Sequence, residues 1–162
     1  MPVQRCFLLL FLAFFAVIPL SAANVSFLII ETGLAMEADN NQYSGLWESG
    51  LLDVFFESGH IVSNAPIMRL EYKPTGVFPE EAERDRDDAL EGGVDYFILA
   101  LLDYQNRGED NTRPLNISLR IFKTRPWTMI YERQYSDTRS RTINEEYDSL
   151  KQIVRGLVPR VN

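Results

Sequence analysis

Apolar residues in this chain occur in runs of two kinds, which predict strands and helices in alternation. Val25–Ile30 and Val94–Leu102 are apolar at nearly every position, a pattern typical of strands buried on both faces of a sheet. His60–Ser63 predicts another strand, which Pro66 ends or diverts because proline cannot donate to a strand ladder. Ile67–Tyr72 alternates imperfectly and is interpreted as an extension at the sheet edge.

Two alternating segments in the second half of the chain predict a β-hairpin. Leu115–Lys123 and Trp127–Tyr135 are its strands, and Thr124-Arg125-Pro126 is the short connection. Pro126 directly precedes Trp127 and suggests that Trp127 lies at an edge of the sheet. In the second strand Trp127, Met129 and Tyr131 are predicted to share one face, with Ile130 opposite.

A helix is predicted after the first strand, because apolar residues recur at the spacing of one helical face. Leu46 and Phe56 broaden that face, whereas Gly50 costs the helix about 1 kcal/mol relative to alanine. Ser58-Gly59 is a stop signal, since glycine suits the left-handed position that follows a helix. The face itself consists of Trp47, Leu51, Val54 and Phe55.

Two further helices are predicted. One begins near Phe78-Pro79, where proline suits the first helical position and the acids that follow suit the helix N-terminus. The other begins at Thr142, which forms a capping box with Glu145. The first has a thin stripe of Ala82, Arg86, Ala89 and Leu90, and the second has a regular one of Ile143, Tyr147, Leu150, Val154, Leu157 and Val161.

The predicted order is therefore strand, helix, strand, helix, strand, strand, strand, helix. Strands alternating with helices, followed by a hairpin and a closing helix, are typical of a mixed sheet with flanking helices. The 162-residue chain without its first 23 residues has a common size for one domain. We expect a single α/β (α+β) domain over residues 24–162.

The first 23 residues have the pattern of a cleavable export signal. Arg5 supplies the charge, Phe7–Leu20 is an apolar run of 14 residues, and Ser21-Ala22-Ala23 supplies the small residues that a signal peptidase needs. Cleavage is expected after Ala23, with delivery to a bacterial periplasm. The run is shorter than the roughly 20 apolar residues that span a bilayer, and a retained membrane anchor is the alternative.

Charge and cysteine content narrow the classes of partner. The chain has a formal net charge of -7, and loss of Arg5 with the leader makes the remainder more acidic. An acidic surface disfavours nucleic acid and anionic lipid, so neither a nucleic-acid partner nor stable membrane insertion after cleavage is expected. The one cysteine, Cys6, lies in the leader, which leaves the mature chain no thiol for a disulfide, a nucleophile or a zinc site.

No pattern of residues indicates catalysis, a cofactor or a metal, so we expect a protein that is not an enzyme. His60 is the only histidine, and it lies between a helix stop and a strand, where its ring can cap backbone groups. The acidic stretch Glu80–Glu91 contains Arg84 and Arg86 and lacks the spacing of an EF-hand. It is interpreted as a solvated helix face with partial ion pairing.

Three segments together resemble a known group: the strand Val25–Ile30, the helix-to-strand passage Leu46–Val62 and the segment Gly92–Ala100. They are similar to segments of bacterial periplasmic α/β domains that include the N-terminal domain of TolB, CsgG and LpoB. The resemblance is one of topology and covers most of Val25–Val161. It implies a non-catalytic module that binds other envelope proteins or assembles into larger complexes, homo-oligomers included. The chain departs from the group by lacking a lipid-attachment cysteine after the leader.

Two hypotheses about function follow. The first is an exported interaction or assembly module of the cell envelope, whose working surface is the hairpin Leu115–Tyr135 with the loop Gln105–Arg113. The second is a periplasmic small-ligand-binding or hydrolytic domain with a crevice at the carboxyl ends of the strands, where Glu31 and Asp103 would converge. The candidate partner-binding residues are Trp127, Tyr131, Arg125 and Arg107.

Overall fold

The computed structural model describes residues 22–33, 41–104, 114–136 and 142–161. In them a six-stranded mixed sheet has helices on both faces, which confirms the predicted fold class. The predicted leader up to Ser21 and the loop Gln105–Arg113 lie outside the described residues. In chain order the elements are β1 (Asn24–Thr32), α1 (Asn41–Glu57), β2 (Ile61–Asn64), β3 (Met68–Leu70), α2 (Glu83–Glu91), β4 (Tyr96–Asp103), β5 (Asn116–Thr124), β6 (Trp127–Ser136) and α3 (Ile143–Arg155).

The sheet has the strand order β2-β1-β4-β5-β6, and β3 also pairs with β1. Strands β2, β3 and β4 all run parallel to β1, whereas β5 and β6 form the predicted antiparallel hairpin. β1 is therefore an interior strand, as its continuous apolar run predicts. The edge extension expected at Ile67–Tyr72 is β3, which pairs with the end of β1 at Ile30–Thr32.

One face of the sheet, which we call the two-helix face, is covered by α1 and α3. Alternate residues of the strands, such as Phe27 of β1 and Ile98 of β4, point to this face and are fully buried. The predicted stripe of α1 is confirmed, since Trp47, Leu51, Val54 and Phe55 all belong to this core. Phe56 does not, because successive helical residues lie about 100° apart, and its side chain is 76% exposed.

Gly50 lies where α1 crosses α3. A Cβ atom on Gly50 would come within 1.9 Å of Leu150 Cδ2, whereas a Cβ on Gly45 would meet nothing within 4 Å. The absence of a side chain at Gly50 thus lets the two helices pack closely. Polar contacts reinforce the crossing, where Tyr147 Oη donates to Asp53 Oδ2 at 2.5 Å and Lys151 Nζ lies 3.1 Å from Glu57 Oε1.

The predicted capping box at the start of α3 is confirmed. Thr142 Oγ1 accepts from the Glu145 backbone N–H at 3.3 Å, and Glu145 Oε2 accepts from the Thr142 backbone N–H at 2.7 Å. Leu150 and Val154 are buried. The helix ends at Arg155, and the predicted stripe continues beyond it because Leu157 and Val161 are buried around a 3-10 turn at Val158–Arg160. Ile143 is 42% exposed and lies outside the core.

The opposite face, which we call the one-helix face, is covered by α2 and by an aromatic cluster. The helix predicted to start at Pro79 begins as a 3-10 turn at Glu80–Ala82 and becomes α-helical at Glu83. Its buried contacts with this core are the small side chains Ala82 and Ala89. The aromatic cluster therefore provides much of the bulk on this face: Phe78, Phe97, Phe122 and Trp127.

A β-bulge in the hairpin changes which side chains of β6 share a face. Ile121 pairs with Tyr131 but Phe122 pairs with Met129, so Ile130 is the extra residue. Trp127 and Met129 consequently pack on the one-helix face, and Tyr131 packs on the two-helix face. The prediction that Trp127, Met129 and Tyr131 share a face is wrong, because strict alternation does not survive an inserted residue.

Candidate functional site

The carboxyl edge of β1 and β4 is where the two predicted crevice residues lie. In the parallel register Thr32 is opposite Asp103, and Glu31 is opposite Leu102. Paired positions share a face and successive positions alternate, so Glu31 points to the two-helix face and Asp103 to the one-helix face. The expectation that the two carboxylates converge is wrong. The sheet separates them into two polar groups.

Glu31 forms the centre of a buried polar network on the two-helix face. Its carboxylate is fully buried and accepts hydrogen bonds from Ser44 Oγ and from Arg69 Nε, the latter at 2.7 Å. Ser44 Oγ also lies 3.3 Å from Tyr104 Oη, and burial raises the pKa of the Tyr104 phenol. The arrangement ties β1 to β3, α1 and the residue after β4. Its ion pair with Arg69 balances the carboxylate and holds Glu31 in place.

Sequence reasoning did not connect Ser44, Arg69 or Tyr104 with Glu31. Ser44 lies in the first turn of α1 and Arg69 is the β3 residue that pairs with Glu31. The one usable signal was a lone arginine within the short apolar segment of β3. That signal identifies a partner only when the register between β1 and β3 is known.

Asp103 borders a cavity of about 260 Å³ on the carboxyl edge of the one-helix face. Lys73 Nζ lies 3.2 Å from Asp103 Oδ2. Arg120 donates from Nε to Glu132 Oε1 at 2.7 Å and from Nη1 to the carbonyl oxygens of Gly76 and Val77 at 3.1 and 2.9 Å. The lining is mostly polar: Thr32, Lys73, Asp103, Asn116, Ser118, Arg120 and Gln134, with Pro74, Leu101 and Ile117.

The hydroxyl group of Ser118 is the feature of this cavity that indicates a binding site. Its Oγ is buried and has no hydrogen-bond partner among the described residues. A buried hydroxyl without a partner costs free energy that a bound water or ligand atom can recover. The cavity thus presents hydrogen-bond donors and acceptors, together with positive and negative side chains, to a small polar molecule.

Three of the four candidate partner-binding residues lie in the described part of the chain, and these three do not form one surface. Trp127 stacks on Phe122 with ring centroids 5.0 Å apart and an interplanar angle of 13°, so it is a packing residue of the aromatic cluster. Tyr131 lies on the other face, where the Arg160 guanidinium is 5.3 Å from its ring centroid. Arg125 is exposed at the hairpin turn and donates to the Leu90 carbonyl at 3.2 Å. Arg107 lies outside the described residues.

A second cavity, of about 300 Å³, opens at the opposite end of the strands from the carboxyl edge, near the start of β1. It is lined by Ala23, Asp95, Tyr96, Lys123, Thr124, Arg125 and Val161. His60 lies close by and caps the backbone as expected, since its Nδ1 accepts from the Ala23 N–H at 3.3 Å. Burial lowers the pKa of His60, and its Nε2 has no partner among the described residues. A ring nitrogen that accepts a hydrogen bond carries no proton, so His60 acts here as a neutral backbone cap.

The acidic stretch around α2 is a solvated face with ion pairs, as predicted. Arg86 pairs with Glu83 at 3.3 Å and with Asp87 at 2.9 Å, and its guanidinium is 5.9 Å from the ring centroids of Phe78 and Trp127. Among the described residues there is no group of three or more histidine, cysteine, aspartate or glutamate side chains that could hold a metal ion. Across those same residues, no helix has the length and apolar character needed to cross a membrane.

Comparison with known proteins places this small mixed-sheet domain in a family. A family model described as "Uncharacterised protein" matches residues 26–153, and the chain belongs to that family. The PelC dodecamer from Paraburkholderia phytofirmans is similar in structure, with a TM-score of 0.50 and 10% identity over 84% of this chain and 87% of that chain. Protein XCC0632 from Xanthomonas campestris, a DUF330 protein, has a TM-score of 0.35 and 11% identity over 85% of each chain. No curated protein matches the sequence.

Proposed function

We propose that this protein is an exported, non-catalytic module of the bacterial cell envelope that assembles into a homo-oligomer and binds other envelope proteins. The leader pattern of the first 23 residues supports export to the periplasm. The resemblance to the TolB, CsgG and LpoB group supports an interaction role. The fold shared with PelC, whose structure is a dodecamer, supports self-association.

The observation that carries the proposal is a pair of exposed apolar side chains near one edge of the sheet. Phe56 at the end of α1 is 76% exposed, and Ile61 at the start of the edge strand β2 is 64% exposed. Side chains of this size gain most when a partner covers them. At the other edge, β6 carries the bulge residue Ile130, which is 44% exposed. Two different edges on one protomer suit head-to-tail contacts, and such contacts close into rings when the rotation allows.

The test is the mass of the mature protein under native conditions. Residues 24–162 are expected to form one defined species larger than a dimer. Phe56→Ser and Ile61→Lys are each expected to lower its stoichiometry without loss of helical content by circular dichroism. The matched control is Ile143→Lys, because Ile143 is also an exposed isoleucine, at 42%, but lies at the start of α3. A monomer at all concentrations, or equal effects of the three variants, would contradict the proposal.

A second candidate function is the binding of a small polar ligand in the cavity beside Asp103. The buried, unpartnered Ser118 Oγ supports it. A panel of amino acids and monosaccharides tested by thermal shift is expected to yield one stabilising compound, whose effect Ser118→Ala and Asp103→Ala both reduce. These two variants leave the oligomer intact if assembly is a separate property. Lack of stabilisation by the whole panel would remove the support for this candidate.

A further inference from the structure

The backbone nitrogen of Asn24 faces a carboxylate that comes from a distant part of the chain. Asn24 N donates to Asp95 Oδ2 at 2.9 Å, and the Asp95 backbone N–H donates back to the Asn24 carbonyl at 2.8 Å. Asp95 precedes β4, the strand that pairs with β1 from Val25 onward. This contact falls at the predicted cleavage position of the leader. We propose that Asp95 binds the amino terminus that cleavage after Ala23 creates, an inference that rests on the proposed export.

Cleavage changes the chemistry of this contact. A signal peptidase adds water across the Ala23–Asn24 peptide bond: the C–N bond breaks, Ala23 leaves as a carboxylate, and the Asn24 nitrogen takes a proton to become an ammonium group. A neutral amide donor to Asp95 thereby becomes a cation paired with an anion. Charge-assisted hydrogen bonds are about twice as strong as neutral ones. The site is therefore better suited to the processed chain than to the uncleaved one.

Cleavage also removes contacts that hold this end of β1 in place. Ala23 is buried, its N–H donates to His60 Nδ1 at 3.3 Å, and its carbonyl accepts from the Ile61 N–H at 3.0 Å. Because Ala23 lines the cavity near the start of β1, its loss widens that cavity. Water then has access to its two former partners, His60 Nδ1 and the Ile61 N–H. Asn24, the first residue of β1 and opposite Ile61 of β2, then becomes the first residue of the chain. An ammonium held by Asp95 keeps this strand end from fraying.

The charges around the cavity favour Asp95 as the partner. Among the described residues that line it, Asp95 is the only carboxylate, whereas Lys123 of β5 and Arg125 of the hairpin turn are cations. Tyr96 is the other titratable group of that lining, and His60 lies beside Ala23 as a neutral ring. The new ammonium group thus has one anionic acceptor, already within hydrogen-bond distance of its nitrogen.

The experiment begins with the protein exported by its native host. N-terminal sequencing is expected to give Asn24 as the first residue. The melting temperature of this material is then measured between pH 6 and pH 10, together with that of an Asp95→Asn variant. A carboxylate partner raises the folded-state pKa of the ammonium above its unfolded value of about 7.7–8.0. The stabilisation is then complete below the unfolded pKa and is lost as pH rises through the folded one.

The melting temperature of wild type is therefore expected to fall further than that of Asp95→Asn as pH rises above 8. A chain that begins at Ala22 is the matched control, since its ammonium lies elsewhere and Asp95→Asn should not alter its pH dependence. If the variant fails to fold, the pH dependence of acylation of the Asn24 amine in wild type gives the pKa directly. A retained leader would overturn the export on which the inference rests. An Asn24 terminus with an unperturbed amine, or with no effect of Asp95, would overturn only the role of Asp95.

Discussion

The two faces of the sheet are built from the same strands and covered in different ways. The two-helix face is closed by α1 and α3, whose regular apolar stripes bury Trp47, Leu51 and Leu150. The one-helix face is covered by the short, charged helix α2 and the 3-10 turn before it, each of which contributes one buried alanine. The aromatic cluster supplies the remaining bulk, with Phe78 from a loop and Trp127 from the hairpin.

This difference shows why an aromatic residue near an edge can belong to the core. A short polar helix leaves part of a sheet face open, and large rings from neighbouring segments fill that space. Trp127 is a candidate contact for a partner by its sequence position, and its ring stacks on Phe122 within the aromatic cluster. The two most exposed large apolar side chains among the described residues, Phe56 and Ile61, lie near the opposite edge of the sheet.

Tryptophan truncation on each face is the strongest way to break the comparison. Trp47→Ala removes a fully buried ring from the two-helix face and is expected to cost about 4 kcal/mol of unfolding free energy. Trp127→Ala removes a partly buried ring and is expected to cost about 2 kcal/mol. Urea denaturation measures both values. An equal or larger loss for Trp127→Ala would show that the aromatic cluster is the principal core.

Removal of each carboxylate at the carboxyl edge should also distinguish the two faces, because the two variants are expected to lose different amounts of unfolding free energy. Glu31→Ala leaves the buried Ser44 hydroxyl without its main acceptor and is expected to cost about 2–3 kcal/mol. Arg69 is 43% exposed and can be hydrated, which limits the loss. Asp103→Ala is expected to cost less than about 1 kcal/mol, because Lys73 is largely exposed and water screens the pair. Similar losses in denaturation experiments would argue against a structural role specific to Glu31.

The close helix crossing sharpens the description of the two-helix face. Gly50→Ala inserts a methyl group into the position of Leu150, and the overpacking is expected to outweigh the gain in helix propensity, for a net loss of about 1–2 kcal/mol. Gly45→Ala lies in the same helix in open space and is expected to stabilise the protein by about 0.5–1 kcal/mol. Stabilisation by both variants would mean that α1 and α3 can separate freely.

The smallest expected effect concerns His60, at the end of the two-helix face. Its folded-state pKa is lowered by burial, so the unfolded chain binds the proton more readily. Above the unfolded pKa of about 6.5, titration of His60 therefore does not change the free energy of unfolding. The protein loses stability as pH drops through that value toward the folded-state pKa. The stability difference between wild type and His60→Phe should therefore change between pH 7 and pH 5. An unchanged difference would show that burial does not perturb the ring.

Features of the fold encoded by local patterns could be predicted from the sequence. The capping box of Thr142 and Glu145, the hairpin and the stripe of α1 each depend on residues near one another in the chain. The register between β1 and β4 could not be predicted, because both strands are apolar at nearly every position and no alternation marks their faces. That is why Glu31 and Asp103 were expected to meet.

Two other features depended on information that spacing does not contain. The bulge at Ile130 inserts an apolar residue among apolar neighbours, so the alternation looked regular in the sequence. Gly50 was interpreted as a weak point of α1, whereas the neighbour that requires a glycine, Leu150, is 100 residues later in the chain. Long-range contacts of this kind are set by the packing of the whole domain.

Native mass spectrometry of the mature protein tests the central claim, that this domain acts by assembling, most directly. The account predicts a single closed oligomer for residues 24–162, which Phe56→Ser and Ile61→Lys dissociate and Ile143→Lys leaves intact. A well-folded monomer that stays monomeric at high micromolar concentration would contradict it.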